Sequence, residues 1–443
     1  MLEVKVRNFR RGKKNSKINR KKIVRIISVL ILTICILRML WVDAATAGYS
    51  NKVIYTGMNS VENAKVKDVT DFIKSDPEIA FKYAKYEHSI GQYEEASKVY
   101  RTVIINSLSD KPLKIMAEAY LALSQYRHAL EPVETKKYLK YSKSKADQYK
   151  NAGYVFLDTV KYTTTGDYIN AGEETCYHES SSVHLDKDGF PMVKYDSDSG
   201  GDGYFYYNPV TIAQFSLTQF GKYKKGTVTR NKFINSVDKL LSLQDSSGAM
   251  RLNFKFKHYI NEHAYEPGWV SSLAQGQAIS VFVRAYQVAG DKKYLDAANR
   301  AYEFMCIPVN EGGTKDTTKE LDGNSNVFFQ EYITNPKSYT LNGFIYTILG
   351  IYDLSQTEDS IYSKGANKMF SDCNNTLLKI IYKYDLGHMT AYDATYLMKK
   401  NQYPNINVEY HKTHIELVDA MYSITKNPVY KYYNLRWKSY VLN

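Results

Sequence analysis

Cysteine is scarce in this chain, four residues in 443, and the scarcity removes two classes of protein. Cys35 lies in an apolar segment, while Cys176, Cys306 and Cys373 are odd in number and lack metal-like spacing. Neither a disulfide framework nor a metal site is expected from them, and they read as buried free thiols. Net charge is scarce too, once its location is considered. The formal charge is +13, but residues 1–40 hold 12 Lys and Arg against one acid, a net of +11. The remaining 403 residues carry 47 basic and 45 acidic side chains, a net of only +2. The global charge is therefore no polyanion signature, and nucleic acid is not an expected partner. A regular calcium-ligand spacing is also missing. Residues 166–203 lose helical periodicity and are rich in acids and glycine, as at Asp186, Asp188, Gly189, Asp196, Asp198, Gly200, Gly201 and Asp202. They lack the spacing and closing Glu of an EF-hand loop, so they read as a solvated connecting loop.

What is present starts with a basic N-terminal block, Arg7 to Lys22, before the mostly apolar residues 23–42. Such a flank keeps the N-terminus in the cytoplasm and sends the following chain across a membrane. Residues 1–22 then form a cytoplasmic segment and 23–42 a signal-anchor; the alternative is a signal peptide cleaved after Ala47, since Ala45-Thr46-Ala47 fits a small-residue site. Either way the rest of the chain faces the outside or a lumen. With 44% hydrophobic and 24% charged residues, that remainder is globular by composition.

Residues 48–165 form a small helical region. Phe81, Ala84, Gly91, Tyr93, Ala96, Val99 and Tyr100, then Met116, Ala119, Tyr120, Leu123 and Tyr126, recur at helical spacing around turns. The pattern resembles tetratricopeptide hairpins, too few for a solenoid, and suggests a docking arm through which residues 66–150 meet the next domain, a protein partner or a second copy. Residues 166–443 form the main domain. Four helix pairs are expected at 210–222 with 230–244, 271–288 with 292–305, 341–354 with 360–379, and 411–424 with 429–441. Each joins an apolar, small-residue-rich helix to an amphipathic one, as in an all-α α/α toroid whose inner helices are covered by outer ones. The long connections 249–269, 308–339 and 386–408 would emerge on one side, where chemistry is usually placed.

Titratable and aromatic side chains gather in those connections: Glu331 and Tyr332, Tyr392, and Tyr410 at the start of the last inner helix. Asn342 opens the preceding inner helix with an amide. Trp269, followed by Gln275 and Gln277, suits stacking on a sugar ring with hydrogen bonds to its hydroxyls. His411 and His414 share a helical face, but with no third ligand at suitable spacing they read as hydrogen-bonding groups near substrate rather than a metal pair.

Across residues 203–441 the sequence resembles the D-glucuronyl C5-epimerases of heparan sulfate and heparosan synthesis. The resemblance rests on Gly203-Tyr-Phe-Tyr, Glu266-Pro-Gly-Trp, Ala274-Gln-Gly-Gln-Ala-Ile-Ser, Glu331-Tyr332, Leu341-Asn-Gly-Phe-Ile-Tyr, Tyr410-His-Lys-Thr-His and Arg436-Trp-Lys-Ser-Tyr, with Tyr332, Tyr392 and Tyr410 separated by 60 and 18 residues. It implies a cofactor-independent inversion at C5 of a uronic acid within a polysaccharide. Glu331 and Tyr410 are similar to the proton-transfer pair, and Tyr332 and Tyr392 to assisting tyrosines. Three departures stand out: there is no β-rich insertion between Phe220 and Arg230, Thr395 replaces a basic residue three positions after Tyr392, and Ile333 replaces a proline after Glu-Tyr.

The chemistry fits these side chains. Removing a C5 proton beside a carboxylate creates an enolate-like dianion, which needs a base on one ring face, an acid on the other and donors for the carboxylate. Tyrosine, with a pKa of about 10, is a poor base at neutral pH but a good donor, and Glu331 supplies the base. Competing expectations are a uronic-acid polysaccharide lyase, an inverting glycosidase pairing Glu331 with Asp353 or Asp393, and a non-catalytic polysaccharide-binding or assembly protein.

Overall fold

The computed structural model describes residues 77–89, 93–106, 113–114, 117, 133–149, 160–169, 177–399 and 401–442. The cytoplasmic and signal-anchor expectations for residues 1–42, the Ala47 cleavage site and most of the second hairpin at 116–130 lie outside those residues. Among the described residues, no helix is long and apolar enough to cross a membrane.

The described chain is predominantly helical. Three helices come first: α1 (Pro77–Ser89), α2 (Tyr93–Asn106) and α3 (Val133–Tyr149). The first two pack as an antiparallel hairpin, with Ala84, Ala96, Val99 and Tyr100 buried between them. A three-stranded antiparallel sheet follows, in the order β1 (Val183–Leu185), β2 (Pro191–Lys194), β3 (Phe205–Tyr206). This corrects the expectation of a solvated loop. Asp186 Oδ1 accepts the N–H groups of Asp188 and Phe190 at 2.9 and 2.8 Å, closing the β1–β2 turn, and its Oδ2 accepts the Tyr207 hydroxyl at 2.6 Å. The acids here serve turns, as Asx side chains commonly do.

Four helix pairs make up the rest: α4 (Pro209–Lys224) with α5 (Arg230–Leu241), α6 (Ser272–Ala289) with α7 (Lys292–Met305), α9 (Leu341–Ser355) with α10 (Ser363–Ile380), and α12 (Val408–Thr425) with α13 (Pro428–Leu442). Short helices α8 (Lys319–Asp322) and α11 (Thr395–Met398) and the ribbon β4 (Lys315–Thr317)–β5 (Val327–Phe329) lie in the connections. Helix starts are capped by side chains: Asn208 accepts from Val210 N–H, Asp291 from Lys293 and Asn427 from Val429 at 2.8, 3.0 and 3.0 Å. The first helices pack side by side in chain order, α4 on α6, α6 on α9, α9 on α12. Small residues permit the tightest crossing. A Cβ on Gly350 would lie 2.2 Å from the Gly276 carbonyl oxygen, and one on Gly276 would lie 2.6 Å from the Thr347 Cα.

Two charge arrangements, the first fully buried and the second partly exposed, tie distant segments together. Arg284 on α6 donates to Asp353 on α9 at 2.6 Å with both side chains fully buried, and Tyr162 donates to the same Asp353 oxygen at 2.8 Å. Arg436 on α13 pairs with Glu95 of α2 at 2.7 Å and with Asp385 at 2.5 Å. Tyr433 adds a 3.2 Å bond to Glu87 of α1. Cys306 and Cys373 are free thiols, the second buried.

Candidate active site

Three backbone contacts bring the connections together. Ser272 N–H, at the start of α6, donates to the Gln330 carbonyl at 3.0 Å and holds the Glu331 segment beside that helix. Leu341 N–H, at the start of α9, donates to the Tyr392 carbonyl at 3.1 Å, and Ala394 N–H to Ser338 at 2.9 Å. Tyr410 sits in the first turn of α12 because Asn407 caps that helix, accepting from Glu409 N–H at 2.8 Å. Glu331 thus lies against the N-terminal turn of α9. A Cβ on Gly343 would fall 2.1 Å from its Oε2 and 2.7 Å from its Cδ, so only glycine at 343 leaves the carboxyl room.

The resulting cleft has a volume of about 410 Å³. Glu331, Tyr332, Tyr410, Trp269 and Asn342 all line it. Tyr392 stands immediately behind, its ring centroid 4.3 Å from that of Tyr410. An aromatic floor comes from residues 252–269, which fold back on themselves through Leu252 N–H to Trp269 O at 2.9 Å and Tyr265 N–H to Phe256 O at 2.7 Å. Trp269 stacks on Tyr265, Phe256 and Tyr332 at centroid distances of 4.9, 5.7 and 6.1 Å. His258 packs 4.6 Å from Tyr332. Burial pushes its pKa down to about 4, so it is a neutral ring supporting that tyrosine.

Glu331 is 3% exposed. Burial, reinforced by the nearby Asp393, raises its pKa to about 8, against the opposing pull of hydrogen bonds from Tyr332, Tyr392 and the Gly343 backbone. Desolvation also raises Tyr332, Tyr392 and Tyr410 above the usual phenol range, with Glu331's charge adding to the effect. The ordering is chemically useful: Glu331 is the first of the four to ionise, and the tyrosines remain neutral donors.

Four sequence candidates are not brought to the cleft. Gln275 is spent on structure: its Oε1 accepts Met250 N–H at 2.5 Å, and its Nε2 donates to the Gly248 and Ala301 carbonyls at 3.1 and 2.9 Å. Gln277 is fully buried, against Tyr168. His411 and His414 both meet the Thr390 hydroxyl through Nδ1, at 2.9 and 2.8 Å, and His411 Nε2 donates to Trp437 O at 3.1 Å. Burial lowers both imidazoles, His411 to about 4, which makes them neutral core groups. Among the described residues no cluster of three or more metal-ligating side chains occurs. Asp353 is committed to Arg284. Asp393 is buried beneath Tyr259, whose hydroxyl donates to it at 2.5 Å, and Thr395, which donates Oγ1–H at 2.6 Å. Thr395 therefore serves Asp393, and no Lys or Arg lines the cleft among the described residues. Ile333 packs on Ala249, Val270 and Phe304.

Sequence reasoning missed Phe254, Phe256, Tyr195, Gln214 and Tyr346 as lining residues. A signal existed for the first two, because Leu252, Phe254, Phe256 and His258 alternate with polar Asn253, Lys255 and Lys257, the period of an extended segment with one apolar face. Tyr346 lies one helical turn beyond Asn342, on the same face.

Residues 244–439 match the family model described as D-glucuronyl C5-epimerase C-terminus. The matched region spans 196 of the 443 residues. It carries Glu331, Tyr332, Tyr392 and Tyr410, whereas the lining residues Tyr195 and Gln214 come from the chain before it. A D-glucuronyl C5-epimerase of Caenorhabditis elegans is 31% identical over 218 residues, covering 47% of this chain and 34% of that protein. An uncharacterized protein of Methanocaldococcus jannaschii is 26% identical over 222 residues, covering 48% of this chain and 66% of its own length. The chain thus matches about a third of the epimerase and just under two thirds of the archaeal protein.

Proposed function

We propose that this chain is a polysaccharide uronate C5-epimerase, inverting D-glucuronic to L-iduronic acid residues within a heparosan-like chain. The observation that carries the reading is one buried carboxyl and three neutral tyrosines gathered at an aromatic-floored cleft, within the family-matched region. In its ionised form Glu331 takes the C5 proton from one ring face. Tyr410 returns a proton from the other, and Tyr332 and Tyr392 donate hydrogen bonds to the charge that develops in between. Trp269 stacks on the sugar, and the Asn342 amide with the tyrosine hydroxyls holds the C6 carboxylate, the part a basic residue in place of Thr395 would have played. Glu331 in its neutral form lowers the repulsion on an entering uronate. No cofactor is assigned to this reaction.

The reading includes the α/α toroid as the arrangement of the four helix pairs, the N-terminal segment as a membrane anchor or cleaved signal, and the catalytic domain outside the cytoplasm. The glycosidase alternative loses support because Asp353 is locked to Arg284, and Asp393 is held by Tyr259 and Thr395 away from the cleft lining. Exchange of C5 hydrogen with solvent in heparosan tests the assignment. Tyr410→Phe and Glu331→Gln are expected to fold normally and to lose about 100-fold or more of that exchange; undiminished exchange in either removes that residue from the mechanism.

A further inference from the structure

A second cleft, about 820 Å³ against 410 Å³ for the first, lies between the β1–β2 hairpin and helices α4 and α5. Tyr177 lines both clefts, so the two share a wall. Its other walls have carbohydrate-binding chemistry: aromatic rings from Phe190 and Phe215, amides from Gln219, Asn231 and Asn235, and the ammonium groups of Lys222 and Lys232. The rings form one seam, with Phe215 edge-on to both Tyr177 and Phe190 at 5.5 and 6.1 Å. Gln219 is 4% exposed, and its Oε1 has no hydrogen-bond partner among the described residues. A buried amide oxygen left unpaired costs stability unless a ligand completes it. Of the two acids on the walls, Asp238 already accepts Tyr294 O–H at 2.7 Å and pairs with Lys293 at 3.1 Å. The hairpin wall is fixed in place by Lys239 of α5, whose Nζ sits 3.4 Å over the Tyr207 ring and 3.8 Å from Asp186.

We propose that this second cleft is a polysaccharide subsite, binding a stretch of the uronic-acid chain beyond the residue that reacts. The proposal rests on the functional reading above for the identity of the chain. Aromatic faces take the apolar sides of sugar rings, the Gln219 oxygen accepts a hydroxyl, and Lys232 meets a uronate carboxylate. A polymer crossing the Tyr177 wall would occupy both clefts, whereas a short fragment would fill the reaction cleft alone.

The test titrates size-defined heparosan fragments into the full chain and into Lys232→Glu and Gln219→Leu. Thermal unfolding serves as the folding control; Gln219→Leu removes an unpaired oxygen, so its midpoint should hold or rise. Long fragments are expected to bind both variants on the order of tenfold more weakly, with KM for C5 exchange raised in step, kcat unchanged and short fragments unaffected. Equal long-fragment affinity in both variants, an equal loss for short fragments, or no heparosan binding by the parent chain would overturn the subsite. Lys232-dependent binding without any C5 exchange would leave the subsite standing and overturn the epimerase reading. Normal exchange with variant-insensitive binding would do the reverse.

Discussion

At the residue scale the account turns on Glu331, a carboxyl whose pKa burial raises from 4.5 to about 8. Exchange at C5 should therefore climb as pH rises toward 8 and level off above it, because only the ionised form is a base; a rate flat from pH 6 to 8 would contradict that role. The same shift sets a stability trend. Below pH 4.5 the carboxyl is protonated whether the chain is folded or not. Between 4.5 and about 8 the folded protein keeps a proton that the unfolded chain has released, so stability falls as pH rises, by at most about 5 kcal/mol. Denaturant unfolding of Glu331→Gln should lack that slope, and an identical slope would show that the carboxyl is not held neutral. Glu331 and its tyrosines were readable in sequence because titratable groups stood out within connections of an apolar, periodic chain. Gln275, His411 and His414 were misread for a physical reason. An amide or imidazole on an inner helix looks the same in sequence whether it faces a ligand or satisfies carbonyls and hydroxyls such as those of Gly248, Ala301 and Thr390.

At the element scale, α9 both carries the site and restricts it. Gly343→Ala gains helix propensity of about 1 kcal/mol, yet the new Cβ would overlap Glu331 Oε2. Because that Cβ would also lie 2.7 Å from the Glu331 Cβ, which side-chain rotation cannot move, the expected result is a lowered unfolding midpoint with exchange reduced on the order of 100-fold, since small displacements of a catalytic group cost that much; full activity would mean the carboxyl tolerates relocation. The α6–α9 crossing depends on the buried Arg284–Asp353 pair. Asp353→Asn leaves the guanidinium buried without its counter-charge, which should cost about 3–5 kcal/mol in chemical denaturation; a loss under about 1 kcal/mol would show that Tyr162 and the Thr163 carbonyl suffice. The helix pairs were legible to within a few residues because 3.6-residue periodicity is bracketed by caps such as Asn208-Pro209, Gly290-Asp291 and Asn427-Pro428. The three-stranded sheet was not legible: its strands have only two to four residues, too short for alternation to show between turn residues.

At the scale of the whole molecule, the N-terminal hairpin and the last helix are joined through Arg436, Glu95, Asp385, Tyr433 and Glu87. The four pairs present their connections so that Glu331, Tyr332 and Tyr410 share one cleft. Everything proposed for that cleft depends on proton removal at C5 followed by return rather than by loss of the C4 substituent. Incubation of the full chain with heparosan in D₂O separates the two outcomes. The account predicts deuterium at C5, L-iduronic acid in the product and unchanged chain length; shortened chains ending in ultraviolet-absorbing unsaturated uronates would contradict it.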